Sequence, residues 1–303
     1  MSAIAAIDIG SNSVRLLIVD ASGAEKCREM HITRLAEGVD EHAALSEAAM
    51  ARTLAVLDTY GAAIARHGAA RVRVTGTSAA RDASNRDEFF ARVARSVGSA
   101  PELLSGGAEA ALAFAGATAD RDPAEGPFVT LDIGGGSTEF AFGTRAPEAS
   151  ISLDVGCVRI TERFLRSDTT SAEQLSAAAA YVNGLLERVD REVPCRRART
   201  WLGLAGTVTS LAARDAGLTR YDPSVTHGYR LSRSSVEALY TELAGRSVAE
   251  RGALLLERER GGVILGGSVV LACVMRFFDL SEITVSERDI LDGLAASLRS
   301  SGR

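Results

Sequence analysis

The sequence predicts an α/β protein of two similar halves closed around a cleft, and three observations carry that prediction. The segment Asp8-Ile9-Gly10-Ser11-Asn12-Ser13 is nearly repeated as Asp132-Ile133-Gly134-Gly135-Gly136-Ser137-Thr138-Glu139. Each copy lies between short apolar runs (Ala3 to Ile7 and Val14 to Val19; Phe128 to Leu131 and Phe140 to Phe142), so each reads as strand, tight turn, strand. The chain has 303 residues, 46% of them hydrophobic, which is long for one domain and comfortable for two. Glycines and small hydroxyl residues let the amides of such a turn converge on an anion, and an Asp at the strand end can hold a cation beside it. Two such turns point to two domains gripping one phosphate-bearing substrate.

Taken in order, the first half reads β-β-β-α-β-α-α. Lys26 to Leu35 is the third strand after the first turn. A helix follows from about Ser46 to His67, with Leu54, Leu57, Tyr60 or Gly61, and Ile64 on one face. Arg71 to Thr75 alternates as a strand, and the hydroxyls of Thr77 and Ser78 open a helical stretch through Arg81 and Asp82. Glu102 to Leu104 leads through Ser105-Gly106-Gly107 into an alanine-rich helix carrying Glu109. Asp122-Pro123 and Glu125-Gly126-Pro127 break helix and mark a short linker, giving domains over 1–122 and 123–303, with the last helix able to pack back on the first.

The second half repeats the theme. A third strand is expected at Ser150 to Asp154, with helices over Val158 to Leu165 and Ala172 to Val189. Trp201 to Leu204 is a buried strand that ends in Ala205-Gly206-Thr207 and a further helix. Helices at Ser234 to Leu243 and Val263 to Phe277, a strand at Glu282 to Val285 and a helix from Asp289 complete the chain.

Composition narrows the function. A net charge of −5 excludes a protein coated in positive field, and so argues against nucleic acid as partner. Lys26 is the only lysine, which excludes a Walker A loop; phosphate must be met by arginine, backbone amides and metal. Cys27, Cys157, Cys195 and Cys273 are scattered and the four histidines isolated, so neither disulfides nor a histidine-bound transition metal is expected. The strand bearing Asp8 leaves no room for a leader, and Val263 to Met275 is too short to span a bilayer. A cytoplasmic location, away from membranes, is the expectation.

Strand triplets followed by helices, twice over, with an acidic glycine turn after each first strand, resemble the duplicated actin-like ATPase (ribonuclease H-like) fold. Within it the chain is similar to the exopolyphosphatase and guanosine pentaphosphate phosphohydrolase family. The carriers are Ala6 to Leu16, Gly76 to Asn85, Leu104 to Ala110, Leu131 to Phe140, Gly203 to Thr207 and His227-Gly228-Tyr229, six blocks in the family's order. The short form, with Asp289-Ile290-Leu291-Asp292-Gly293 near its end, resembles the actinobacterial exopolyphosphatases.

The resemblance implies hydrolysis of a terminal phosphoanhydride of inorganic polyphosphate by an activated water, with Mg²⁺ or Mn²⁺, in a homodimer. Glu109 matches the family's catalytic glutamate and would take the proton from water. Ser11, Asn12, Ser13, Gly134, Gly135, Gly136, Ser137 and Thr138 would hold terminal phosphates, with Arg81 adding charge. Asp8, Asp132 and Glu139 offer hard oxygen ligands to metal. Gly206 and Thr207 form either a strand-helix turn or an anion site at a helix N-terminus.

Each role has a plainer rival. Arg81 could instead pair with Asp82 or Asp87, Asp8 and Asp132 could serve only their turns, and Arg15 reads as an outward strand residue. Ala108 and Ala111 stand where many members place an acid and an arginine beside the base. By its resemblance to the short form, the chain is not expected to carry the C-terminal region longer members use for long polyphosphate. Guanosine pentaphosphate or nucleoside triphosphates are alternative substrates; a sugar or acetate kinase and a non-catalytic polyphosphate or nucleotide sensor are the rivals from other classes.

Overall fold

The computed structural model describes residues 3–300. Its first sheet begins with the antiparallel triplet β1 (Ala3–Ile9), β2 (Ser13–Val19) and β3 (Glu25–Ile32). β4 (Ala69–Gly76) then joins β1 in parallel and β5 (Glu102–Leu103) joins β4, giving the order β3-β2-β1-β4-β5. The second sheet repeats this plan with β6 (Phe128–Ile133), β7 (Thr138–Gly143) and β8 (Pro147–Leu153), followed in parallel by β9 (Thr200–Leu204). β10 (Arg230–Ser232) lies antiparallel at the edge beside β11 (Glu282–Val285), and the order is β10-β11-β9-β6-β7-β8. An antiparallel triplet extended on its first strand by parallel strands, found twice, is the duplicated actin-like ATPase fold.

The duplication extends to register. Asp8 stands opposite Arg15 across β1 and β2, and Asp132 stands opposite Glu139 across β6 and β7. Both turns close with the same bond: Gly10 N–H donates to Ser13 O and Gly134 N–H to Ser137 O, each at 3.0 Å. Side-chain direction alternates along a strand, so identical registers aim both aspartates at the same place relative to their turns.

Helix Glu47–Arg66 buries Met50, Thr53, Leu57, Tyr60 and Ile64, spaced alternately by three and four. That stripe passes beside Leu54, which is only partly buried, so Thr53 takes the place expected for Leu54. The apolar helix Ile264–Phe277 is buried from Ile264 to Met275 in the core of the second half. Among the elements that escape the sequence pattern, β10 has too few residues to show alternation, and Val248–Leu254 is a short helix started by a Ser247–Glu250 capping box.

Two helices exchange places. Gly106–Thr118, which follows the first sheet in the chain, packs on β6, β7 and β8, whereas the last helix, Ile290–Ser300, packs on β1, β2 and β4. They meet at Gly116 and Gly293; a Cβ on Gly116 would overlap the Asp289 carbonyl, and one on Gly293 would overlap that of Leu112. Only glycine permits this crossing distance. It fixes the first turn of Gly106–Thr118, and with it Glu109, between the two sheets.

Candidate active site

The C-terminal ends of β1, β6 and β9 open on one cleft of about 400 Å³. From the first half it is lined by Asp8, Ser11, Asn12, Ser13 and Arg15, and from the second by Asp132, Gly134, Gly135 and Ser137. Glu109 joins them, as do Gly206 and Thr207 at the start of helix Ala205–Asp215. Ala205 itself has φ 64°, a left-handed conformation unusual for alanine that sharpens the passage from β9 into the helix.

The two turns touch. A Cβ on Gly135 would lie 2.8 Å from Ser11 Cβ, and one on Gly136 would lie 2.5 Å from Ser78 Oγ. Glycine is required here because the two backbones approach so closely. Ser11 is also engaged locally. Its Oγ accepts the Ala79 N–H at 3.2 Å, serving the short helix Ser78–Asp82, which Thr77 does not cap.

Four of the expected residues stand behind the wall: Arg81, Gly136, Thr138 and Glu139 do not line the cleft. Thr138 Oγ1 donates to Val155 O at 2.5 Å, and Gly136 O accepts Arg159 Nε at 2.9 Å. Arg81 pairs with neither Asp82 nor Asp87. Its Nη1 donates to Glu109 Oε2 at 2.7 Å and to Leu104 O at 3.0 Å, and its Nη2 reaches Ser137 Oγ at 3.4 Å. Arg81 therefore ties the carboxylate of Glu109 to both halves.

Electrostatics set these carboxyls apart. Burial raises the pKa of Glu109 to about 7, against the lowering influence of Arg81. Burial also takes Asp132 to about 7, with Arg15 opposing and Asp289, Glu109 and Asp8 adding to the rise. Glu139, which accepts Ser152 Oγ at 2.7 Å, is pushed well up by burial and then by the charges of Glu109 and Asp132. Asp8 is raised by burial although Arg15 holds its Oδ2 from Nη2 at 2.7 Å.

Arg15 corrects the sequence reading. It faces inward, donates to Asp8 and pairs through Nη1 with Asp289. Asp289, Arg28 and Arg260 also line the cleft, although the sequence did not single them out as site residues. One signal was available: Arg15 follows Asp8 at the spacing by which Glu139 follows Asp132.

Among the described residues no three His, Cys, Asp or Glu side chains converge as a ready-made metal cage. The donor set nevertheless fits a hard cation. Asp8 Oδ1 is buried with no hydrogen-bond partner, and so are both polar atoms of the Asn12 amide. Asp132 and Glu139 form a like-charged cross-strand pair, and eight carboxylates line the cleft against three arginines. A polyanion could not enter that field without cations to neutralise it.

The Ppx/GppA phosphatase family model matches residues 18–301. The chain belongs to the Ppx/GppA phosphatase family. It is 41% identical to exopolyphosphatase 2 of Mycobacterium tuberculosis over 98% of this chain and 99% of that protein. The crystal structure of an exopolyphosphatase-like protein superposes with a TM-score of 0.94 at 32% identity, covering 99% of this chain and 100% of that one. The crystal structure of the Aquifex aeolicus Ppx/GppA family member gives 0.82 at 30% identity, covering 100% and 99%. Among the described residues of this Ppx/GppA phosphatase family member, no helix is long and apolar enough to cross a membrane.

Proposed function

We propose that the protein is an exopolyphosphatase, releasing orthophosphate from the end of inorganic polyphosphate by attack of a water that Glu109 deprotonates. The observation that carries the reading is the state of Glu109. It is a mostly enclosed carboxyl whose pKa is pushed up to about 7, held by Arg81 on the wall of a cleft that both glycine turns share. A base is most effective when its pKa lies near the working pH. The 41% identity to an exopolyphosphatase across nearly all of both chains supports the same substrate.

In this mechanism the amide of Gly135, the hydroxyls of Ser13 and Ser137 and the unpartnered Asn12 amide bind the terminal phosphoryl groups. Gly206 and Thr207 present helix N–H groups to the next ones. Arg81 fixes the carboxylate of Glu109 toward the water, and the raised pKa lets it retain the abstracted proton. A divalent cation, Mg²⁺ or Mn²⁺, would be held by Asp132 and Asp8, with Glu139 behind Asp132, and would supply neutralisation of the phosphate charge.

The reading includes cytoplasmic residence, for which four free cysteines are suited, a homodimer, and domains spanning 1–122 and 123–303. Phosphate release from polyphosphates of several lengths, guanosine pentaphosphate and ATP, with and without Mg²⁺, tests the substrate. Glu109→Gln is expected to lower release by about 10²–10⁴-fold with the fold retained. Release from guanosine pentaphosphate alone would transfer the assignment to that substrate, and failure on every phosphoanhydride would end the hydrolase reading.

A further inference from the structure

At the other end of the second sheet, where β9 and β11 begin, lies an open hollow of about 730 Å³ with the opposite chemistry. Arg121, Arg196, Arg199 and Arg230 line it, together with Trp201. Two of these arginines have strong partners. Arg196 Nε donates to Asp190 at 2.9 Å with its guanidinium 5.4 Å from the Phe278 ring centroid, and Arg230 pairs with Glu282.

The other two are under-used. Nε and Nη2 of Arg121 are buried and have no hydrogen-bond acceptor. Its ion pair with Asp120 is 4.0 Å long, and that carboxylate already serves His227 at 3.0 Å and Arg288 at 3.3 Å. The exposed side chain of Arg199 reaches the Ala124 carbonyl at 3.5 Å, the outer limit of a hydrogen bond. Buried guanidinium donors without acceptors are costly, and planar N–H forks match phosphate oxygens.

We propose that this hollow is a second anion site, binding phosphoryl groups of a condensed phosphate chain away from the end being hydrolysed. The proposal rests on the exopolyphosphatase reading for its ligand. The carboxylates of the hollow are few, and two are engaged: Glu282 with Arg230 and Asp279 with Arg233. Whereas the cleft needs cations to admit phosphate, the hollow can take it directly on arginine. The hollow and the cleft lie at opposite ends of β9, so a chain that touches both runs over the surface between them. A chain touching both sites would gain affinity through effective concentration, which gives the enzyme a preference for longer polymers.

Trp201 is the only tryptophan in the chain, so its emission reports on the hollow. The experiment titrates tripolyphosphate, orthophosphate and matched NaCl into the Glu109→Gln protein, which prevents turnover. Tripolyphosphate is expected to change the emission saturably, at concentrations where orthophosphate and NaCl do not. Adding Arg121→Gln should raise the half-saturation concentration by about tenfold or more, the loss of one charge-assisted hydrogen bond. Arg199→Gln, at an exposed position that spares the fold, should act in the same direction. An unchanged emission, equal responses to all three solutes, or a response unaltered in both arginine variants overturns the proposal. Failure of the wild-type protein on every phosphoanhydride would instead remove the catalytic reading, with the emission result standing separately.

Discussion

Arg15 and Glu139 hold the same place in the two halves of the molecule: each stands directly across the strand pair from the aspartate of its own turn. Their charges are opposite. Arg15 neutralises Asp8, whereas Glu139 adds a second negative charge beside Asp132. A duplicated backbone has thereby become electrically asymmetric. The first turn carries its own cation and the second has a cation's worth of negative charge in excess; burial raises both Asp132 and Glu139, and the charge of Glu109 adds to each rise.

Asp132→Asn should stabilise the metal-free protein at alkaline pH. The folded-state pKa of Asp132 is raised to about 7, so its contribution is fully favourable below the unfolded value near 3.8 and is lost as pH rises through 7. At 1.36 kcal/mol per decade, the cost above pH 7 approaches about 4 kcal/mol at most. Thermal melts should show the variant above wild type at pH 8 and level with it at pH 3.5. Mg²⁺ at pH 8 should raise the melting temperature of wild type more than that of the variant. An equal Mg²⁺ response in both would remove Asp132 from the metal site.

Arg81 is expected to act on Glu109 more than on the substrate, and pH profiles separate the two roles. The Arg81 guanidinium lowers a Glu109 pKa that burial raises, so Arg81→Gln leaves the rise opposed only by the smaller influence of Arg15. The acidic limb of kcat/KM, near pH 7 in wild type, is expected to move upward, and kcat at neutral pH to fall about a hundredfold. A raised KM with the limb unmoved would mean that Arg81 binds phosphate only.

The turns and Glu109 were legible because each has a local signature: glycine and hydroxyl residues at a strand end, and a glycine-rich approach to a helix. The positions of Arg81 and Arg15 were not. Arg81 and Glu109 stand 28 residues apart in the chain and meet only in the folded molecule, and Arg15 meets Asp289 only because the last helix returns to the first sheet. The withdrawal of Glu139 and Thr138 from the cleft wall is also a long-range fact: Glu139 accepts from Ser152 on β8, the strand that Gly106–Thr118 packs on, and Thr138 donates to the Val155 carbonyl.

The crossing of Gly106–Thr118 with Ile290–Ser300 makes a prediction whose sign runs against helix propensity. Alanine in place of an interior helical glycine normally stabilises by up to about 1 kcal/mol. At Gly184, in helix Ala172–Glu192, a Cβ meets nothing within 4 Å, and Gly184→Ala should give that gain. At Gly116 the new methyl would overlap the Asp289 carbonyl and lie 3.0 Å from Gly293 N, both backbone atoms that cannot swing aside. Gly116→Ala should therefore destabilise by roughly 1–3 kcal/mol as the helices are forced apart. The same displacement tilts the helix that carries Glu109, so activity should fall more than the melting temperature accounts for. Paired thermal melts and phosphate-release rates of the two variants check this. A stabilised, fully active Gly116→Ala protein would show that the close crossing does not position the base.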